Sequence, residues 1–284
     1  MHKRIHLLLI ILLLLSPIFL GSKGYASSKV SISLNAKHAV IMDADTGKII
    51  YKKNAYSKCH NASITKLMTA IVALENNKNL NKKVSISNHA SASKKIGVSI
   101  DSNAGERYYL KDMIHAMLIS SACDCSIAVA EATSGSESKF VKKMNKKAKK
   151  LGCKKTKFST ASGLWNGKDH YTTSYDLALI TKYAYSKKTI RKILSKKSYS
   201  FKSVSGRKRY VENTNELLKS KKYKCIGKTG TGKTAKYCFA GVYEYKGHTY
   251  IFNVLGCKDE DNRWSDSKKL IDVCRKYTNK LKNE

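Results

Sequence analysis

GKTGTGKTAKYCFAGVYEYKGHTYIFNVLGC, residues 227–257, decides between two folds. Its first eight residues match the phosphate-binding pattern G-x-x-x-x-G-K-[ST] in full, with Gly227 and Gly232 followed by Lys233 and Thr234. Such a loop needs a helix directly after it, because the helix N-terminus faces the phosphate. The next residues, Tyr237-Cys238-Phe239-Ala240-Gly241-Val242-Tyr243, read as a strand. A second strand-like run, 248–257, succeeds 236–245 across Lys246-Gly247, a hairpin signal. No apolar strand ending in a metal-binding Asp accompanies the glycines, so nucleotide binding lacks its structural context. The stretch reads instead as an antiparallel hairpin, with Lys228-Thr229-Gly230 just before it on an edge strand. There a cation and a close backbone could meet a substrate carboxylate.

Outward from that hairpin, Leu270, Cys274, Tyr277 and Leu281 line one face of a final helix. At the other end, 38–51 reads as two short strands around an Asp45-Thr46-Gly47 turn. Between them, 63–75 carries Ile64, Leu67, Met68, Ile71 and Leu74 at helical spacing, and 110–131 is again helical in character. So is 137–151, whose lysine-rich face reads as solvated surface. The expected architecture is α+β: an antiparallel sheet built from both ends of the chain and flanked by helices, with a helical subregion. Pro17 is the one proline and no Gly/Ser-rich linker appears, so residues 27–284 are expected to form a single domain with no second domain or anchor after it.

The first 26 residues are read separately. Lys3 and Arg4 precede an apolar run over 5–15, broken by His6, and Gly24-Tyr25-Ala26 offers small residues for cleavage. That order marks a secretory signal, and the run is shorter than the roughly 20 residues a spanning helix needs. The formal charge is +35; residues 1–26 hold three cations and no acid, so cleavage leaves +32. So high a charge implies an anionic neighbour. The sequence has no aromatic Gly-rich motif of the single-strand-binding kind, so nucleic acid is not expected. Outside a cell the candidates are anionic wall polymers and lipid headgroups. The lysines are scattered through every segment, which reads equally well as a bias toward solubility. Cysteines at 59, 123, 125, 153, 225, 238, 257 and 274 include no Cys-x-x-Cys pair, and no metal or cofactor is expected. Cys238 and Cys257 fall on strands expected to be adjacent; their pairing stays open.

Three short elements could carry chemistry. In Ser63-Ile64-Thr65-Lys66 the spacing of three puts amine and hydroxyl on one helical face, and a serine is a poor nucleophile until a base takes its proton. A serine at a helix start also presents its own N–H to a developing oxyanion. Taken alone, the pattern is more simply a helix N-cap. Ser121-Ala122-Cys123, between two helical runs, and Lys228-Thr229-Gly230 complete an ordered set, Ser-x-x-Lys, Ser-x-Asn-like and Lys-Thr-Gly.

With these motifs the chain resembles the low-molecular-mass D-alanyl-D-alanine carboxypeptidases, of the β-lactamase and penicillin-binding superfamily. The likeness runs from about residue 37 to the last helix. It takes in Asp43-Ala44-Asp45-Thr46-Gly47, the segment 62–69, Gly163-Leu164, 170–178, Asn213-Thr214-Asn215, and Arg263 ahead of Ser267-Lys268-Lys269-Leu270. The resemblance implies a penicillin-binding-type fold and a two-step acyl transfer on peptidoglycan stem peptides ending in D-Ala-D-Ala, with β-lactams as covalent inhibitors. It makes Ser63 the acylated nucleophile, Lys66 its general base and Ser121 a proton relay to the leaving D-alanine. Lys228, Thr229 and Gly230 line the site, Arg263 helps hold the terminal carboxylate, and the N–H groups of Ser63 and Thr231 form the oxyanion hole. His170 is read as structural. The protein is expected to be exported, secreted or held at the wall by charge, and monomeric. Two departures stand out. Cys123 replaces the Asn of the second motif, and a thiol donates and accepts hydrogen bonds only weakly, so slower turnover is expected. Asn61 replaces a proline before Ala62 and is expected to be tolerated. The alternatives are a D,D-endopeptidase with the same chemistry, a β-lactamase, for which no Glu-x-x-Leu-Asn segment is found between Ser121 and Lys228, and a non-catalytic wall-binding homologue, for which Cys123 is the best argument.

Overall fold

Both ends of the chain build one five-stranded antiparallel sheet in the order β2-β1-β9-β8-β7. The computed structural model describes residues 31–165, 167 and 169–281; the expected signal segment lies outside them. Strands β1 (His38–Asp43) and β2 (Ile49–Lys53) come from the N-terminal side, β7 (Ile226–Gly232), β8 (Lys236–Tyr245) and β9 (His248–Cys257) from the C-terminal side. The turn between β1 and β2 is held by Asp43, whose Oδ1 accepts the N–H groups of Asp45 and Thr46 at 3.0 and 2.8 Å. Lys246 and Gly247 take φ of +49° and +85°, the paired left-handed conformation that matches the twist of a two-residue hairpin. A strand, β8, begins within a few residues of the end of β7, so the helix required by a phosphate-binding loop is absent.

The period of two along β9 sorts its neighbours. Ile251 and Asn253 face helix α6 (Ser174–Ser186): Ile251 packs in a cluster with Ala178, and Asn253 Nδ2 donates to Ser174 O at 2.9 Å. Tyr250 and Phe252 face the last helix, α8 (Glu260–Leu281), through Thr278 and, by way of Phe239, Trp264. Sheet pleat and helix stripe thus bury each other on both sides.

The remaining helices are α1 (Lys66–Asn76), α2 (Asn88–Ala92), α3 (Leu110–Ile119), α4 (Cys123–Ser134), α5 (Glu137–Lys150) and α7 (Lys188–Leu194). α1, α3, α4 and α5 share the larger hydrophobic cluster, in which Ile71, Met113, Ile114, Val129, Phe140 and Met144 are buried. Two small antiparallel pairs, β3 (Lys83–Ser85) with β4 (Arg107–Tyr109) and β5 (Ser198–Lys202) with β6 (Lys208–Glu212), lie outside the main sheet. The run 110–131 is two helices, broken at Ser120–Ala122 where Ser121 adopts φ +72°. No helix among the described residues is long and apolar enough to cross a membrane.

Candidate active site

Ser63 sits in a 3₁₀ turn, Ala62–Thr65, that runs directly into α1. Ala62 is held at φ +44°, a strained value for a residue with a Cβ. The segment that holds it is pressed close: a Cβ on Gly163 would stand 2.0 Å from Ala62 O. Behind the turn, Thr65 Oγ1 accepts from Asn61 Nδ2 at 3.2 Å and lies 2.8 Å from His170 Nε2. His170 Nδ1 accepts the Ser159 N–H at 3.2 Å, which leaves the ring proton on Nε2 to be donated to Thr65. Burial pushes His170 down to about 4, so it is a neutral brace for the turn.

The turn of helix between residues 63 and 66 brings Lys66 Nζ to 2.8 Å from Ser63 Oγ. Ser63 is half-buried and Lys66 fully buried. The amine also donates to Ser162 O at 2.7 Å and reaches Cys123 Sγ at 3.5 Å. Burial lowers the Lys66 pKa, opposed by Cys123, Cys125 and Asp124. A lysine with no ion pair among the described residues and a depressed pKa, in contact with a serine hydroxyl, has the properties of a general base.

The break between α3 and α4 places Cys123 beside that amine, with Ser121 two residues before it. Ser121 is buried and its hydroxyl forms no hydrogen bond among the described residues. Cys123 is fixed through its backbone, its N–H donating to Val98 O at 2.7 Å. Asp124, next along α4, is fully buried and accepts from Ser102 Oγ at 2.7 Å and from the N–H groups of Ile100 and Ser102, pinning the loop that carries Val98.

Strand β7 forms the facing wall. It abuts the nucleophile turn at Gly230, where a Cβ would come within 2.5 Å of Asn61 O. Glycine here lets Lys228, Thr229 and Thr231 approach Ser63. Lys228 is buried, with its Nζ donating to Thr229 O at 3.1 Å. Its pKa is pushed well down, first by burial and then by the nearby Lys66 charge, with Arg263 adding to the effect. Arg263, also buried, rises from α8, stacks 4.3 Å from the Trp264 ring centre and donates from Nη1 to Thr231 Oγ1 at 3.2 Å. Ser63, Lys66, Cys123, Lys228, Thr229, Gly230, Thr231 and Arg263 are therefore brought into one neighbourhood, with Ser121 joined to it through Cys123. Thr214 belongs there too: its hydroxyl lies 2.6 Å from that of Thr229. It stands within Asn213-Thr214-Asn215, yet nothing in that segment alone marks it as part of the site. The Ser162 carbonyl has no sequence signal at all. Among the described residues there is no cluster of metal-binding side chains. The eight thiols are unpaired; Cys238 sits at the register shift between β8 and β9 and donates to Ala235 O at 3.2 Å.

Comparison with known proteins adds to this geometry. Residues 25–259 match a family model described as D-alanyl-D-alanine carboxypeptidase. The chain is 35% identical over 241 residues to the D-alanyl-D-alanine carboxypeptidase DacF of Bacillus subtilis, covering 84% of this chain and 61% of that protein's length. It is 32% identical over 244 residues to the D-alanyl-D-alanine carboxypeptidase of Streptomyces sp. strain K15, covering 81% of this chain and 84% of the relative. The crystal structure of the Streptomyces K15 DD-transpeptidase superposes with a TM-score of 0.80 at 31% identity, over 86% of this chain and 98% of that one. Solved variants of the K15 enzyme carry substitutions at a serine and at a cysteine two residues later, the spacing of Ser121 and Cys123. Penicillin-binding protein D2 of Listeria monocytogenes, solved with cefotaxime bound, superposes with a TM-score of 0.75 at 31% identity, over 86% of this chain and 98% of that one.

Proposed function

Because the chain belongs to the D-alanyl-D-alanine carboxypeptidase family, we propose that it removes the terminal D-alanine from peptidoglycan stem peptides through an acyl-enzyme on Ser63. The observation that carries this reading is the 2.8 Å contact between Lys66 Nζ and Ser63 Oγ, made by a buried lysine with a lowered pKa. Lys66 takes the hydroxyl proton as Oγ attacks the penultimate carbonyl. The N–H groups of Ser63 and Thr231 hold the oxyanion, each such donor contributing about 2.7–4 kcal/mol in comparable sites. Ser121 passes a proton to the departing amine of D-alanine, and water then releases the shortened peptide. Lys228, Thr229 and Arg263 receive the terminal carboxylate; the Arg263–Thr231 hydrogen bond aligns that wall. The outer edge of β7 offers backbone groups to which an extended peptide can pair.

Labelling with a fluorescent penicillin tests the acylation step. The parent should form a slowly hydrolysed adduct, and Ser63→Ala should form none; rapid penicillin turnover would point to a β-lactamase. Product analysis on a pentapeptide ending in D-Ala-D-Ala and on a crosslinked dimer then separates carboxypeptidase from endopeptidase action. An equally labelled Ser63→Ala variant overturns the assignment.

The protein is further read as exported after cleavage near Ala26, monomeric, and held at the wall by its charge. The support is the order of basic, apolar and small residues over 1–26 and the formal charge of +35. Release from a wall fraction by raised salt is the expected result; salt-insensitive retention refutes it.

A further inference from the structure

A second cleft lies where the chain enters β7, before the residues that form the catalytic wall. A cleft of about 620 Å³ is lined by residues from α6, α7, β8, α8 and the segment leading into β7. Five cations border it: Arg191, Lys221, Lys222, Lys224 and Arg275. Glu244 is the only carboxylate in the lining, and it is already bound by the Tyr185 hydroxyl. Asp272, beside Lys222, is likewise engaged by Tyr223 at 3.1 Å. None of the five cations forms an ion pair among the described residues, which hold ten such pairs elsewhere.

The two arginines are held in place by rings. The Arg191 guanidinium lies 5.0 Å from the Tyr185 ring centre and that of Arg275 lies 5.1 Å from the Tyr245 ring centre. A guanidinium stacked on a ring keeps its planar fork rigid, and that fork matches phosphate bidentately. Arg275 Nε is buried with no hydrogen-bond partner. In the β7–β8 register Ile226 pairs with Val242 and Thr231 with Tyr237. The cleft therefore meets the sheet five residues before Thr231, roughly 17 Å along the strand at about 3.4 Å per residue. Lys228, the nearest group of the catalytic wall, lies two residues beyond Ile226 and is not part of the cleft lining.

We propose that this cleft binds the phosphodiester chain of a polyol-phosphate polymer. Unpaired cations call for a polyanion, and guanidinium forks favour phosphate over a simple counter-ion. The concave shape suits a strand more than a flat bilayer. Tyr185 and Tyr243 in the lining offer an apolar surface to the carbon skeleton between phosphates. The proposal assigns a specific seat to part of a charge that the sequence spreads evenly, and it does not rest on the Ser63 chemistry.

The test is calorimetric titration of the folded chain with a synthetic glycerol-phosphate oligomer. The triple variant Arg191→Gln, Lys221→Gln, Lys224→Gln is compared with Lys142→Gln, Lys146→Gln, Lys149→Gln, which removes the same charge from exposed positions of α5. The cleft variant should bind at least about tenfold more weakly, the α5 variant within about threefold of the parent, and parental affinity should fall as salt is raised. Equal losses in the two variants, or no binding by the parent, overturn the proposal. Phosphatidylglycerol vesicles and a single-stranded DNA oligomer should bind more weakly than the oligomer at matched phosphate; tighter binding of either overturns the assigned ligand. Penicillin labelling should be unchanged in the cleft variant, so a failure of the Ser63 reading registers separately.

Discussion

Replacing Gly230 by alanine probes the contact on which the whole site depends, that of β7 with the nucleophile turn. A Cβ at 230 would stand 2.5 Å from Asn61 O, 3.1 Å from Ile64 Cγ1 and 3.3 Å from Ile64 N. Packed carbon and oxygen atoms do not settle closer than about 3.0 Å, so strand and turn must part by about 0.5 Å or more. Neither side can yield alone. Asn61 and Ile64 are fully buried, and Asn61 O also accepts the Ile64 N–H at 3.1 Å. The gap therefore opens between Ser63 and the strand carrying Lys228, Thr229 and Thr231. Misplacement by about 1 Å can cost about 10²-fold in rate, so half that shift should cost about ten- to a hundredfold in acylation, or about 1.4–2.7 kcal/mol. Gly232→Ala is the matched control: it lies on the same strand, and its Cβ would have Ala62 Cβ at 3.8 Å as nearest neighbour. Stopped-flow acylation by a chromogenic penicillin, with thermal melts of both variants, reads the difference. If Gly230→Ala acylates within about threefold of Gly232→Ala, the close approach does not position the catalytic groups.

Three further outcomes rest on named contacts. Cys123→Asn should raise turnover on a D-Ala-D-Ala peptide by about fivefold, the worth of one ordinary hydrogen bond, because an amide replaces the 3.5 Å thiol contact to Lys66; equal rates would sink this. His170 is lowered from 6.5 to about 4 in the folded chain, so the unfolded chain binds the proton more readily between those values. Its stabilising effect is complete above about pH 6.5 and declines by up to about 3 kcal/mol as pH falls toward 4; urea melts across that range should show a shallower decline for His170→Gln, and identical slopes would refute it. Asp124→Asn should destabilise by about 1.5–3 kcal/mol through loss of charge-assisted hydrogen bonds from Ser102 and Cys125. Since Asp124 raises the Lys66 pKa, its removal should also move the acid limb of the acylation profile to lower pH, and a limb displaced upward would contradict the assignment.

The sequence is legible where local pattern determines structure. The paired strands 236–245 and 248–257 emerge with their boundaries, because Lys246-Gly247 supplies the turn conformation and the alternation on either side faces two packed helices. Ser63 and Lys66 are legible since helix geometry alone joins residues three apart. The stretch 174–212 yields no elements to that reading, although Thr173 accepts the Asp176 N–H and caps α6, a signal present within 170–178. α7 is short and lysine-bearing, and β5 and β6 alternate a few buried residues with exposed cations, so neither period stands out. Thr214 escapes because its partner Thr229 lies on another element, and the break at Ser121 because a serine at φ +72° arises from tertiary packing and has no propensity to announce it.

The three cations of the site explain one another. Lys66, Lys228 and Arg263 are all buried, and neither lysine has an ion-pair partner among the described residues. A buried, unpaired ammonium is costly, and the cheapest relief is to release its proton, so both lysine pKa values fall. At Lys66 the lowered pKa eases release of the proton beside the Ser63 hydroxyl, which is what a base requires. At Lys228 the carboxylate of an incoming peptide would supply the missing counter-charge and raise the pKa again, so that the amine holds its proton once the substrate is seated. A protein carboxylate paired with either lysine would hold the proton on Lys66 and fill the anion's place beside Lys228. In the proposed mechanism the absence of such a pair within the described wall serves proton removal and substrate capture through one electrostatic arrangement.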